Sequence, residues 1–147
     1  MTEGQDMDRA ELLSRWYHRV YVEGDLDAVD EIFTDAMQAC GLLDDMQVGP
    51  EDIRVFAMAL VNLVDEPNLR LVKIVESGDW VAALIEAEGK RVTDGVEIRA
   101  MGQLMARFEG DRIAEAYNSF DFMALFRQLG LLPEDAVALG MTGQKIA

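Results

Sequence analysis

The stretch from Ile113 to Gly130 reads IAEAYNSFDFMALFRQLG and joins a predicted strand to a predicted helix. The strand half follows a tight turn at Glu109-Gly110-Asp111. The helix half has apolar residues at the spacing of one helix face, at Phe122, Leu125, Phe126 and Leu129. Gly130 suits a helix C-terminus, and Pro133 blocks any continuation. A strand that runs directly into a short helix is the pattern around which the remaining chain is interpreted.

Asp121 lies at the junction between that strand and that helix, between two phenylalanines. A carboxylate there has two interpretations. It can be the N-cap of the helix, accepting hydrogen bonds from the amides of Met123 or Ala124, since aspartate is strongly preferred at N-caps. It can also exchange protons with a carbonyl compound if it points into a pocket. Sequence alone leaves both open.

Composition limits the classes of protein to consider. The chain has 147 residues, half of them hydrophobic, which predicts one domain spanning 1–147. The net charge of −15 argues against binding to nucleic acid or anionic membranes, and no apolar run is long enough for a membrane span. A single cysteine, a single histidine and a polar N-terminus predict a cytoplasmic protein with no disulfide and no multi-histidine metal site.

The N-terminal half predicts three helices, and the C-terminal half predicts strands. Helices are expected over 9–22, with Asp8 as N-cap, over 25–33 with Asp25 as cap, and from Gly49-Pro50 to about Val64. The segment 36–43 is ambiguous, with a short strand as one interpretation. After Pro67 the apolar period shortens, and four strands are expected over 69–77, 80–92, 96–108 and from 113 onward, with Asp94-Gly95 as a hairpin turn.

This order predicts an α+β fold, in which N-terminal helices pack inside a strongly bent antiparallel sheet and leave a cone-shaped pocket. Strand alternation puts Ile113, Glu115, Tyr117, Ser119 and Asp121 on one face if no bulge intervenes, with Asn118 facing away. Glu86, Glu88 and Arg99 are expected to form cross-strand ion pairs on the outer face.

Four segments in order resemble the SnoaL-like polyketide cyclases of the nuclear transport factor 2-like, or cystatin-like, superfamily: EGDLDAVDEIF at 23–33, Gly49-Pro50, RFEGDRIAE at 107–115, and Asp121 with RQLG at 127–130. The resemblance implies a carboxylate acid/base at Asp121, ring closure by intramolecular aldol condensation, no metal or cofactor, and a homodimer through the outer sheet face.

The chain departs from this family pattern at two positions. Those cyclases carry a histidine at the position of Leu104, three residues before the arginine that matches Arg107. Many relatives also have a histidine before a glycine where this chain has Cys40-Gly41. Both differences weaken the case for the cyclase reaction itself, and Leu104 also favours a drier pocket.

The candidate ligand-binding residues are aromatic, methionine and amide side chains: Trp16, Tyr17, Met101, Gln103, Met105 and Tyr117. Tyrosine hydroxyls can stabilise an enolate, and methionine adapts to flat apolar ligands. Each also has a structural interpretation, because aromatic and methionine stripes commonly fill a core. Of the nine methionines, Met37, Met46, Met58 and Met123 are further candidates for the cavity wall.

The function predicted from sequence is cofactor-free acid/base chemistry, of the cyclase or isomerase type, on a small and mainly apolar carbonyl compound, with Asp121 as the proton-transfer group. The alternative is a non-catalytic binding or accessory module with the same pocket.

Overall fold

The computed structural model describes residues 8–40 and 49–146. In chain order its helices and strands are α1 (Arg9–Tyr17), a π-helical turn (His18–Val22), a 3-10 helix (Leu26–Ile32), β1 (Phe33–Cys40), α2 (Pro50–Leu63), β2 (Asp65–Ser77), β3 (Trp80–Lys90), β4 (Glu97–Glu109), β5 (Arg112–Phe120), α3 (Phe122–Gln128) and α4 (Ala136–Met141). The predicted α+β class is confirmed.

The first two helical segments follow the prediction with local differences. Asp8 caps α1 by accepting a hydrogen bond from the Ala10 amide, and the helix widens into a π-helical turn before it ends. The second helix is a 3-10 helix, and Asp25 makes no side-chain cap bond there. Its carboxylate binds Arg19 at 2.8 Å instead. An available guanidinium partner therefore displaces the predicted cap interaction.

Helix α2 begins where Gly49-Pro50 predicted. The Asp52 carboxylate accepts a hydrogen bond from the Gly49 amide at 3.1 Å, which satisfies one of the free N–H groups at the helix start. Ile53 and Ala57 are buried against the rest of the core. Arg54 on the other side binds Asp30 of the 3-10 helix, so the two helices are also joined by an ion pair.

The five strands form one sheet in the order β1-β5-β4-β3-β2. The β2-β3, β3-β4 and β4-β5 pairs are antiparallel, as predicted for the four-stranded meander. The segment left ambiguous at 36–43 contributes β1 up to Cys40, and this strand pairs parallel to β5. Residues 41–43 of that segment lie outside the described part of the chain.

The sheet has one buried and one exposed face. Along β4, buried and exposed residues alternate over the whole strand, as expected for a sheet covered on one side. The exposed face carries cross-strand ion pairs, including Arg70 with Glu86 at 2.5 Å and Arg99 with Glu88 at 3.3 Å. The predicted outer-face pairing of these charges is confirmed.

Arg9 connects the start of α1 to two distant turns. Its guanidinium donates to the carbonyl oxygens of Gly78 and Gly110 and to the Asp79 carboxylate, at 3.1 to 3.3 Å. It also lies 5.2 Å from the centre of the Phe108 ring, within the range of a cation–π contact. One side chain therefore holds the first helix against the β2-β3 and β4-β5 turns.

Helix α3 packs on β4 and is followed by the short helix α4. The side chain of Gln128 bonds both the amide and the carbonyl of Arg99, at 3.0 and 2.7 Å, and so extends the hydrogen bonding of β4 beyond the end of β5. Among residues 8–40 and 49–146, no helix is long and apolar enough to cross a membrane.

Candidate ligand-binding site

The buried face of the sheet and the helices surround a cavity of about 120 Å³. Its wall draws on α1, the π-helical turn, α2, all five strands and α3. The apolar part includes Leu13, Phe33, Ile53, Phe56, Leu60, Ile85, Ile98, Leu104, Ile113, Phe120 and Leu125. A mainly apolar ligand is the chemistry that such a wall accepts.

The charged side chains that border this cavity do not face its interior. Glu88 and Arg99 border it, but strand alternation turns their side chains to the outer face, where they pair with each other at 3.3 Å. The remaining described residues of the wall are uncharged. A charged ligand would therefore lose its hydration without gaining an ionic partner.

Tyr17 and Tyr21 supply the hydroxyl groups on the helical side of the cavity. Both residues are buried, and their rings stack with centroids 5.9 Å apart. Neither hydroxyl forms a hydrogen bond with another residue of 8–40 or 49–146. Burial raises the pKa of Tyr17, with Tyr21 adding to the effect, and burial likewise raises the pKa of Tyr21. Both are therefore neutral hydrogen-bond donors at physiological pH.

Trp16 also lines the cavity, and its polar group is already used. The indole Nε1 donates to the carbonyl oxygen of Val29 at 3.1 Å, which ties α1 to the 3-10 helix. The ring meets Tyr17 edge-on at 5.0 Å and Phe33 at 5.6 Å. Trp16 therefore offers a ligand an apolar surface and holds Tyr17 in place.

A bulge in β5 decides which side chains reach the cavity. Arg107 pairs with Glu115 while Phe108 pairs with Ile113, so Ala114 is the extra residue between them. Ile113 faces the core, but after the bulge Glu115 and Tyr117 face outward. The prediction that Ile113 and Tyr117 share a face is wrong for this reason. Asn118, predicted to face away, lines the cavity.

Asp121 lies beyond the end of β5 and is exposed. Its carboxylate accepts a hydrogen bond from the Ala124 amide at 2.9 Å, and its own amide donates to Met101 at 3.0 Å. The capping interpretation is therefore observed directly. Asp121 does not line the inner cavity; it borders an open groove of about 370 Å³ together with Leu84, Met101, Gly102, Gln103, Ser119 and Phe120.

Only some of the other predicted binding residues border the cavity or the groove. Trp16 and Tyr17 line the cavity, and Gln103 borders both the cavity and the groove. Met101 borders only the groove, while Met105 and Tyr117 border neither. All three are exposed, because they occupy outward positions of β4 and β5.

The methionines do not form the cavity wall that the sequence suggested. The described lining residues include no methionine. Met37 is buried in the core, and Met58 and Met123 are exposed on their helices. Met46 lies outside the described residues. The apolar wall is instead built from aromatic and branched aliphatic side chains.

The two positions that depart from the family pattern have apolar or backbone roles here. Leu104 is buried in the cavity wall. The carbonyl oxygen of Cys40 accepts a hydrogen bond from Asn118 Nδ2 at 3.3 Å. Within 8–40 and 49–146, no group of three or more histidine, cysteine, aspartate or glutamate side chains is placed to hold a metal ion.

A family model described as SnoaL-like polyketide cyclase matches residues 11–129, from α1 to the end of α3. The chain belongs to this family. The match spans both tyrosines, the cavity and Asp121, so the resemblance seen in the sequence is confirmed for the whole region that builds the site. No curated protein matches the SnoaL-like chain.

Solved structures similar to this SnoaL-like protein show the same fold. IdmH from Streptomyces antibioticus, a proposed polyketide cyclase, has 18% identity and a TM-score of 0.74, covering 84% of this chain and 99% of its own. AclR from Streptomyces galilaeus, a proposed hydroxylase, has 17% identity and a TM-score of 0.73, covering 85% and 86%. TsrD from Streptomyces laurentii has 22% identity and a TM-score of 0.69, covering 86% and 100%.

Proposed function

We propose that this protein binds a small, neutral and mainly apolar carbonyl compound in the inner cavity, with the hydroxyls of Tyr17 and Tyr21 donating to the carbonyl oxygen. The observation that carries the proposal is a pair of buried tyrosines in a mainly apolar wall, whose hydroxyls bond no other residue of 8–40 or 49–146. A carbonyl oxygen supplies an acceptor for these hydroxyls, and the wall accommodates the ligand's apolar body.

The protonation of the two tyrosines fits donation better than proton abstraction. A tyrosine whose pKa is raised stays neutral, and a neutral phenol donates a hydrogen bond without acting as a base. Asp121, the carboxylate that the sequence predicted as the proton-transfer group, lies outside the cavity. Binding with polarisation of a carbonyl is therefore the function that the geometry supports best.

A fluorescence titration with 2-acetylnaphthalene, and with naphthalene as the ligand lacking the carbonyl, tests this proposal. Tyr17→Phe and Tyr21→Phe keep the stacked rings but remove the hydroxyls. Each is expected to weaken ketone binding about three- to tenfold, the value of one hydrogen bond, and to leave naphthalene binding unchanged. Tyr117→Phe is the matched control, because its hydroxyl bonds Glu115 on the outer face.

Three results would count against binding in this cavity. They are failure of the ketone to bind, equal loss of ketone and naphthalene binding in the two cavity variants, and a loss in Tyr117→Phe as large as theirs. Equal loss would mean that the variants alter the shape of the cavity rather than a carbonyl contact.

The second candidate function is cofactor-free acid/base chemistry of the cyclase or isomerase type, with Asp121 transferring the proton. Family membership favours it, and so does the groove of about 370 Å³ where Asp121 lies beside Gln103 and Ser119. Catalysis would then take place at the rim of the sheet rather than in the inner cavity. The cap bond to Ala124 and the exposure of Asp121 weigh against this candidate.

Deuterium exchange separates the two candidates. The methyl protons of 2-acetylnaphthalene exchange in D₂O when a base removes them, and NMR follows their loss. If Asp121 is the base, the protein accelerates this exchange and Asp121→Asn reduces the rate about 100-fold or more. Binding without acceleration of exchange would leave only the binding function.

We also propose that two copies associate through the outer sheet face. Met105 and Tyr117 are exposed there, at 51% and 47%. Glu115 neutralises Arg107 beside them at 2.6 Å, so two acidic chains can meet at this face without concentrated like charge. Light scattering after gel filtration should report a dimer that Met105→Glu converts to a monomer. Met58→Glu, at a methionine 46% exposed on α2, should leave the dimer intact.

A further inference from the structure

Asn118 is the amide side chain that the β5 bulge turns into the cavity, and it lies on the sheet side of the wall. Ala116 and Phe120, its neighbours on the same face of β5, are both apolar and both line the cavity. A half-buried amide between such neighbours loses hydration, and that loss must be offset by hydrogen bonds.

The Cys40 carbonyl supplies only part of that compensation. It accepts one hydrogen from Asn118 Nδ2 at 3.3 Å, which fixes the amide against β1. An asparagine side chain also has a second N–H and an oxygen with two lone pairs. Among the described residues, no protein donor is bonded to that oxygen. A ligand hydroxyl is a donor that could complete its hydrogen bonding.

The cavity therefore carries two complementary kinds of polar group. The tyrosine hydroxyls on the helical side donate, and the Asn118 oxygen on the sheet side accepts. We infer that Asn118 is a specificity-determining residue and that the preferred ligands are neutral hydroxy-carbonyl compounds, whose carbonyl bonds the tyrosines while their hydroxyl donates to Asn118. This inference rests on the proposed binding function and narrows its ligand class.

The test compares 2-acetylnaphthalene with three derivatives that keep the acetyl group and carry one hydroxyl on the other ring, such as 6-acetyl-2-naphthol. In the unmodified protein at least one hydroxy ketone is expected to bind about three- to tenfold more tightly than the parent ketone. Asn118→Leu should abolish this advantage, measured as the ratio of the hydroxy-ketone affinity to the parent-ketone affinity in the same variant.

Two further variants keep the inference testable. Asn118→Thr retains a strand-compatible shape with a hydroxyl acceptor and should keep only part of the advantage. It replaces Asn118→Leu as the test if that variant fails to fold. Asn68→Leu makes the same substitution at an exposed asparagine of β2 that borders neither the cavity nor the groove, and it should keep the full advantage. Thermal unfolding of each variant identifies any loss of folded protein.

The outcomes distinguish the two levels of the proposal. The inference is overturned if no hydroxy ketone binds better than the parent, or if the advantage survives in Asn118→Leu. Neither of these results affects the carbonyl-binding proposal, since the parent ketone still binds. If no ketone binds the unmodified protein, the proposed function itself fails, and the inference fails with it.

Discussion

Removing the Asp121 carboxylate tests the structural role that its geometry assigns to it. Asp121 Oδ1 accepts from the Ala124 amide at 2.9 Å and so satisfies one of the free N–H groups at the start of α3. Replacing such a cap by alanine costs about 1 kcal/mol, within a range of roughly 0.5–2. Since Asp121 is exposed, no cavity is created and the loss of the cap is the main effect.

Asp121→Ala should therefore lower the free energy of unfolding by about 1 kcal/mol and the Tm by roughly 2–4 °C, the usual conversion for a domain near this size. Urea unfolding followed by circular dichroism gives the first quantity, and calorimetry gives the second. Asp121→Asn should change neither appreciably, because asparagine caps helices as well as aspartate does.

Asp135 provides a matched control. It occupies the N-cap position of α4 but makes no side-chain cap bond, so Asp135→Ala should leave stability nearly unchanged. The capping argument would be refuted if Asp121→Ala were as stable as the parent, or if Asp121→Asn lost as much stability as the alanine variant. Stability retained in Asp121→Asn would also make that variant a clean test of proton transfer.

Three further perturbations have outcomes fixed by the geometry. Gly102→Ala would place a Cβ 2.7 Å from Phe120 Cδ1 and 3.2 Å from the Ser119 carbonyl oxygen, so chemical denaturation should show a loss of about 1–3 kcal/mol that Phe120→Leu partly relieves. Burial raises the pKa of Tyr17 and Tyr21 in the folded state, so their contribution to folding stability is complete below the unfolded pKa of about 10 and is lost as pH rises through the folded pKa. The Tm above about pH 10 should therefore fall less steeply with pH in Tyr17→Phe than in the unmodified protein. The hydrogen bonds from Arg107, and to a lesser degree from Tyr117, lower the pKa of Glu115. Its contribution to folding stability is therefore present above the unfolded pKa of about 4.3 and is lost as pH falls through the folded pKa. In Glu115→Gln the free energy of unfolding should decrease less steeply on the acid side of a pH series.

Local signals in the sequence were sufficient for most of the fold. The spacing of apolar residues predicted α2 and α3, and the turns at Asp94-Gly95 and Gly110 predicted the meander. Gly95 and Gly110 have φ angles of 71° and 65°, which glycine adopts without strain. These features depend on a few neighbouring residues, and so a single sequence contains them.

The site was less predictable, because it depends on register between strands. Nothing within Ile113–Phe120 signals that Ala114 is an extra residue; the bulge exists only relative to β4. That one-residue shift moves Tyr117 outward and Asn118 inward. Tyr17 was found from sequence because helix periodicity is internal to its own segment. The parallel pairing of β1 with β5 is likewise a long-range choice.

The Arg9 contacts have a consequence for how the chain folds. They join α1 to turns 69 and 101 residues away, so they depend on the β2-β3 and β4-β5 turns being in place. Bringing such distant residues together costs loop-closure entropy, so we expect these contacts to form late in folding. The rate constant for unfolding should therefore rise in Arg9→Lys while that for refolding stays nearly constant, which is the kinetic pattern of a late-forming tether.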